Sequence, residues 1–152
     1  MSYARFAAMI ATSTVVMFGL MYLNTYAFDH VTFSETRLYM AFLMGATMAI
    51  IMLAFMLSMY RNRTANIAIF AGAIVVFAGS LWLVRAQTTV QDVSYMRAMI
   101  LHHSIAIMTS RRAEISDPRV RELADAIIEA QVTEIAEMKA LIADLTGEPA
   151  PD

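Results

Sequence analysis

The hydrophobic pattern of the chain changes abruptly after three long apolar segments. These segments cover about residues 6–28, 38–60 and 67–84. Each has roughly 20 residues, enough for a helix to cross about 30 Å of hydrocarbon. Short polar stretches separate them. We therefore expect residues 1–86 to form a membrane domain with three transmembrane helices.

From residue 87 onward, apolar residues recur three and four positions apart between charged ones, which is the pattern of amphipathic helices. Two such helices are predicted. Thr89 is the expected N-cap of the first, while Asp117 caps the second and Pro118 begins it. Gly147 ends the second helix. Residues 87–152 are therefore predicted to form an antiparallel helical hairpin outside the membrane, and the chain is all-α.

Composition supports this division and excludes several classes of protein. The chain is 59% hydrophobic and 16% charged, which is too apolar for an ordinary soluble domain. A net charge of −2 without a basic run argues against a nucleic-acid partner. The absence of cysteine excludes disulfides and thiolate ligands, whereas methionine is unusually frequent, with 14 residues.

Basic residues at the ends of the spans predict the orientation. Arg5, Arg61 and Arg63 fall on one side, while Arg37 and Arg85 fall on the other among acidic residues. Cytoplasmic loops favour Lys and Arg. We expect an inner (cytoplasmic) membrane protein, in contact with lipid, whose N-terminus is cytoplasmic and whose C-terminal domain is periplasmic or otherwise extracytoplasmic.

Methionine and histidine side chains line up near the start of the hairpin. At about 100° per residue, Met96, Met99 and His103 share one helical face, with His102 at its edge. Reflecting positions about the turn brings Met138 level with Met96. Thioethers and imidazoles suit soft ions such as Cu(I) and Ag(I). These five residues are the candidate metal ligands.

The second helix carries a matching stripe, which is predicted to face the first helix. Its residues are Leu123, Ala124, Ile127, Gln131, Glu134, Met138, Leu141 and Leu145. Gln131 falls level with the His pair and Glu134 level with Met99. A Gln in an apolar stripe needs a hydrogen-bond partner, and a ligand imidazole needs a group to orient it. Gln131 and Glu134 are therefore the candidate supporting residues, although Met and His at helical spacing also suit a plain packed core.

A row of methionines also runs along the second apolar segment. It consists of Met40, Met44, Met48, Met52 and Met56. The row spans about 24 Å at 1.5 Å per residue. It could pass Cu(I) along the membrane, or it could be a packing ridge of adaptable side chains. The neighbouring small residues Ala41, Gly45 and Ala49 favour close helix packing.

The hairpin sequence resembles a known family. The stretch Tyr95–Met108, with its His-His pair, and the stretch Ala124–Met138, with Gln-x-x-Glu-Ile, are similar to the domain-of-unknown-function family 305. The resemblance implies a ferritin-like helical bundle, often periplasmic, with links to copper binding and resistance. Relatives often carry Met at the positions of Ile105 and Thr109, and the loss of these residues would weaken any second Met-rich site. Pro is also common in the family at the position of Leu101.

Together these features favour a non-enzymatic, membrane-anchored Cu(I) or Ag(I)-binding protein that serves metal homeostasis or resistance. A ferritin-like oxidase needs Glu-x-x-His motifs on two helices, and neither His has a Glu three residues before it. The alternative is a dimerisation or assembly module without metal function. One hairpin supplies two helices of a four-helix bundle. We therefore expect a homodimer, with copper-handling proteins as further partners.

Overall fold

The computed structural model describes residues 2–147, which contain five α-helices and no strand. The prediction of an all-α chain is confirmed for this range. The helices are α1 (Tyr3–Leu20), α2 (Glu35–Phe55), α3 (Arg63–Ala86), α4 (Asp92–Arg112) and α5 (Pro118–Thr146), with a short 3-10 helix at Phe28–His30. The predicted end of the hairpin domain, residues 148–152, lies outside the described residues.

Helices α1, α2 and α3 are each long and apolar enough to cross a membrane, with mean hydropathies of 1.4, 2.1 and 2.4. Their bounds differ from the predicted spans. The largest difference is in α1, which ends at Leu20 although the apolar sequence continues to Phe28. Hydropathy alone misplaces this end, because it cannot distinguish apolar residues that face lipid from those that pack on another part of the protein.

The chain forms two compact units. One contains the described residues up to Met21 together with Thr36–Thr89, and the other contains Tyr22–Glu35 and the described residues from Val90 onward. The connection between α1 and α2 therefore belongs to the same unit as the hairpin. Hydropathy and helical periodicity did not predict this, because it depends on contacts between residues far apart in the sequence.

The first unit holds α1, α2 and α3 around a shared apolar core. This core consists of Phe6, Ala49, Leu53, Tyr60 and Ala73. At one end, Tyr3 Oη donates to Asn66 Oδ1 at 2.9 Å, and Asn66 Nδ2 donates to the Tyr60 carbonyl at 2.7 Å. These bonds satisfy polar groups that apolar surroundings would otherwise leave unpaired.

A close approach of α1 and α2 occurs at the predicted row of small residues. Ala41, Gly45 and Ala49 are all buried. A Cβ on Gly45 would overlap the Thr14 hydroxyl and lie 3.2 Å from the Thr14 methyl carbon. The structure confirms that this row packs closely against another helix, and it gives Gly45 a reason for having no side chain.

The second unit is built on the antiparallel α4–α5 hairpin. Its core consists of Ile100, Ile107 and Ile135, and partly buried Ile128, Met138 and Ile142 pack around them. Asp117 caps α5 by accepting from Arg119 N at 2.9 Å, and Gly147 ends it with φ 70°, as predicted. The N-cap of α4 is Gln91 rather than Thr89, whose hydroxyl is instead 2.9 Å from Tyr39 Oη.

The buried stripe of α5 is rotated from the predicted one. Ala124 and Ile135 are buried, whereas Leu123 is 61% exposed and Leu145 is 57% exposed. The prediction that the hairpin buries this stripe is wrong for its outer row, which consists of Leu123, Ile127, Leu141 and Leu145, although Leu141 and Leu145 line the cleft between the two helices. A hairpin of two helices covers only one narrow strip of each helix, and the apolar face of α5 is wider than that strip.

The segment Tyr22–Glu35, which we name the strap, packs against α4. Its Tyr26 N donates to Ser104 Oγ at 2.7 Å, and Thr32 Oγ1 donates to the Arg97 carbonyl at 3.1 Å. Ser104 is fully buried and Leu101 is 1% exposed. A single chain therefore already buries this part of α4.

Candidate metal site

One face of the hairpin opens into a cleft of about 570 Å³ between α4 and α5. Five of the seven predicted hairpin site residues line it, namely Met96, Met99, His103, Glu134 and Met138. The other lining residues are Asp92, Tyr95, Glu137, Leu141, Asp144 and Leu145. The helical spacing of Met96, Met99 and His103 places them along one side, and the antiparallel turn brings Met138 and Glu134 to the opposite side.

The His103 imidazole is the most restrained group of the cleft. Only 6% of the residue is exposed. Its Nε2 lies 2.5 Å from Oε2 of Glu134, whose side chain is 54% exposed. The other ring nitrogen, Nδ1, is buried and has no hydrogen-bond partner among the described residues. Buried polar atoms without a partner are uncommon and call for a structural or functional reason.

His102 lies outside the cleft. It is exposed, and its ring centroid is 6.4 Å from that of His103. Successive residues of a helix point about 100° apart, so two adjacent histidines cannot share one environment. The structure thus separates the two histidines, and His103 is the one that joins the methionines.

Gln131 is half-buried and does not line the cleft. Its Oε1 is buried without a hydrogen-bond partner within residues 2–147. The role of holding the imidazole, suggested for Gln131 or Glu134, falls in the structure to Glu134. Glu134 is three positions further along α5 than Gln131, so the two helices meet almost one turn away from the alignment inferred from the turn.

The lining of the cleft combines thioethers and an imidazole with carboxylates. Within residues 2–147, no three His, Asp or Glu side chains lie close enough together to hold a metal ion. Asp92, Glu137 and Asp144 also line the cleft, and no Lys or Arg from residues 2–147 does. Their negative charge favours the entry of a cation.

The methionine row lies in the other unit. Met40 is exposed, and Met44, Met48, Met52 and Met56 are half-buried. Met52 and Met56 pack against the core of the first unit, and Met56 follows the last residue of α2, Phe55. These contacts support a packing role at the end of the row, while metal conduction stays a prediction.

A polar cluster that the sequence did not reveal joins the strap to the hairpin. His30 Nδ1 lies 2.9 Å from Ser104 Oγ, and Lys139 Nζ lies 2.5 Å from Asp29 Oδ2. The hydrogen bond from Lys139 holds the pKa of Asp29 below its usual value of 3.8. Burial lowers the pKa of His30 from 6.5, the nearby Asp29 carboxylate raises it and Lys139 lowers it.

This cluster brings Ser, His and Asp together, but its hydrogen bonds hold the strap on the hairpin and do not form a catalytic site. Ser104 is 0% exposed, and its oxygen already accepts the Tyr26 N–H. A nucleophile must reach its substrate, which Ser104 cannot do. The only sequence signal was a polar Asp-His pair after an apolar run, and its partners lie more than 70 residues away.

Known proteins match both units of the chain. Residues 82–149 match DUF305, a domain of unknown function, which covers the end of α3 and the hairpin. An uncharacterized protein of Acanthamoeba polyphaga mimivirus is 30% identical over 142 residues, which are 89% of this chain and 91% of the viral protein. No solved structure matches significantly. Residues 82–149 therefore form a DUF305 domain, the whole chain belongs to the same family as the viral protein, and three apolar helices precede the hairpin.

Proposed function

We propose that the chain is a membrane-anchored protein that binds Cu(I) or Ag(I) for metal homeostasis or resistance outside the cytoplasm. The observation that carries this proposal is the convergence of Met96, Met99, Met138 and His103 on one cleft. These residues come from two helices and lie up to 42 positions apart in the sequence. The cleft thus combines three thioethers with one imidazole.

The chemistry of these donors fits a monovalent soft ion. Thioethers are neutral and polarisable, so they bind Cu(I) and Ag(I) in preference to Mg²⁺ or Ca²⁺. His103 supplies a nitrogen donor whose Nδ1 has no other partner within the described structure. Glu134 contributes negative charge close to the bound cation. His102 is exposed and would act only as a transient contact during entry.

Three apolar helices support a membrane anchor. The strap and the hairpin belong to one unit, so they must lie on the same side of any membrane. Two crossings, by α2 and α3, would satisfy this requirement. With the positive-inside bias, this side is the periplasmic or extracytoplasmic one, and the N-terminus is cytoplasmic.

The second candidate function is assembly without a metal. The exposed apolar row of α5, Leu123, Ile127, Leu141 and Leu145, favours this reading, because such a surface commonly marks an interaction site. Pairing of two hairpins through this row would build the homodimeric four-helix bundle that we expected. The two functions are compatible, since the row adjoins the cleft through Leu141 and Leu145. Copper-handling proteins are alternative partners for the same surface.

The proposal is tested by anaerobic titration of the full chain in detergent with Cu(I) and Ag(I). The full chain is required because the strap is part of the hairpin unit. We expect one site tighter than micromolar per chain. Replacing Met96 and Met99 together by Leu should weaken binding at least about tenfold, since Leu keeps the volume but lacks the sulfur donor.

Met108 provides the matched control. It lies on α4 and is half-buried, but it does not line the cleft. Met108→Leu should leave both affinities unchanged. Binding weaker than micromolar in the wild-type chain would reject the metal function and leave the assembly module. Equal affinities in the wild type and the double variant would place the metal elsewhere.

A further inference from the structure

The contact between His103 and Glu134 distinguishes the two nitrogens of the His103 ring. A carboxylate accepts hydrogen bonds, so the 2.5 Å contact fits the tautomer that carries its proton on Nε2. In a neutral imidazole the other nitrogen then carries the lone pair. That nitrogen, Nδ1, is the buried atom without a hydrogen-bond partner within residues 2–147.

We propose that Glu134 is a positioning residue that holds Nε2–H of His103 and thereby presents Nδ1 as the nitrogen donor for a soft cation. The inference rests on the proposed function, and it adds the binding atom and the residue that selects it. Nothing else in the cleft competes for Nε2 in the structure, and Glu134 is the only carboxylate that forms a salt bridge with this ring among the described residues.

The arrangement explains two features that packing alone does not. First, Glu134 interrupts the apolar row of α5 between Ile127 and Leu141, at the position from which it reaches His103. Second, a ligand at Nδ1 would satisfy the polar atom that is otherwise buried without a partner. A carboxylate on the remote nitrogen also makes the imidazole a better donor and fixes its orientation.

The opposite arrangement has the metal at Nε2 with Glu134 displaced. Glu134 is 54% exposed, so it could swing away at little cost. In that case removing Glu134 would free the ligand atom and strengthen binding or leave it unchanged. The two arrangements therefore predict opposite effects of the same substitution.

The test compares Glu134→Ala with Glu137→Ala in the full chain, with Ag(I) as the redox-stable probe. Glu137 is a matched control because it lines the same cleft and has the same charge, but forms no bond to His103. Glu134→Ala should weaken Ag(I) binding about 10- to 100-fold, the usual effect of removing a group that orients a ligand. Glu137→Ala removes the same negative charge from the cleft and should weaken binding clearly less, so the difference between the two variants measures the contact with His103. Glu134→Gln, which keeps an acceptor for Nε2–H, should restore part of the loss.

Nitrogen-15 NMR of the histidine rings supplies a readout that a purely structural role would not change. On addition of Ag(I), the His103 Nδ1 resonance should move to that of a metal-bound nitrogen, while Nε2 keeps its proton. A metal-bound Nε2, or equal affinities of the two alanine variants, would overturn this inference without affecting the proposed function. Loss of Ag(I) binding by the wild-type chain would overturn both.

Discussion

At the scale of single residues, the two adjacent histidines show how position on a helix decides the role of a side chain. His103 is 6% exposed and contacts Glu134, whereas His102 is exposed. The amino acids are identical and their sequence context is nearly so. The 100° step between neighbours turns one toward α5 and the other away from it.

The pair therefore offers an internal control for ligand assignment. We expect His103→Ala to weaken Ag(I) binding at least about tenfold, since one donor of the set is lost. His102→Ala should leave the affinity unchanged. Isothermal titration of both variants in the full chain measures the difference. A larger loss of Ag(I) affinity in His102→Ala than in His103→Ala would show that the site lies on the exposed side of α4.

At the scale of helices and connections, close packing decides which small residues matter. Gly45 and Gly72 both lie inside apolar helices, but only Gly45 has a neighbour within 4 Å of the position of a Cβ. Thr14 occupies that position, and its hydroxyl donates to the Ile10 carbonyl at 2.8 Å. Both glycines are flanked by apolar residues of a long helix, so the sequence alone does not distinguish them, whereas the side chains around them differ.

Gly45→Ala should destabilise the first unit, because the added methyl group forces the Thr14 side chain or the α1–α2 contact to move. A cost of about 1–3 kcal/mol is typical for overpacking. Gly72→Ala should be neutral or slightly stabilising, since Ala is the better helix former. Thermal unfolding in detergent, followed by circular dichroism, compares the two. Equal melting temperatures would mean that α1 relaxes freely at Gly45.

The strap should make the stability of the hairpin unit depend on pH. Burial lowers the pKa of His30 below 6.5, so the folded chain resists protonation more than the unfolded chain does. The contribution of His30 to the free energy of unfolding is thus fully present above pH 6.5. It falls as the pH drops below 6.5, because the unfolded state then binds more protons than the folded state. The pKa of Asp29 is lowered from 3.8, so its protonation causes a further loss of stability only below pH 3.8.

His30→Asn removes the titrating group and isolates its effect. Compared with the wild type, this variant should lose less stability between pH 7 and pH 5, as measured by thermal melts at each pH. His102 and His103 are present in both chains, so the comparison reports on His30 alone. Parallel pH profiles would show that His30 does not resist protonation in the folded state.

At the scale of the whole molecule, the packing of the strap on the hairpin restricts the membrane topologies that the chain can adopt. The strap and the hairpin are separated in sequence by α2 and α3, and yet they form one compact unit. Two helices that each cross a membrane once return the chain to the side it left. The topology of three spans is therefore consistent with the packing of the second unit.

The proposed orientation can be measured directly, because the chain contains no cysteine. Thr133 is exposed on α5, and Ser58 is exposed between α2 and α3. In intact bacterial spheroplasts, a membrane-impermeant maleimide should label the Thr133→Cys variant. Ser58→Cys should react only after permeabilisation. The reverse pattern would place the hairpin in the cytoplasm.

The amino-acid sequence by itself determined the local properties of this protein. Helical periodicity placed Met96, Met99 and His103 on one face, and Asp117, Pro118 and Gly147 marked the limits of α5, because these effects act within a few residues. Hydropathy likewise identified three apolar helices, although it extended the first to Phe28.

Only the tertiary structure decided the relations between distant residues. It assigned Glu134 rather than Gln131 to His103, left Leu123 and Leu145 exposed, and laid the strap on Ser104. Each of these depends on how two elements meet, and a rotation or shift of less than one helical turn changes which side chains touch. Such shifts leave the hydrophobic pattern of each element unchanged, so no single-helix pattern could reveal them.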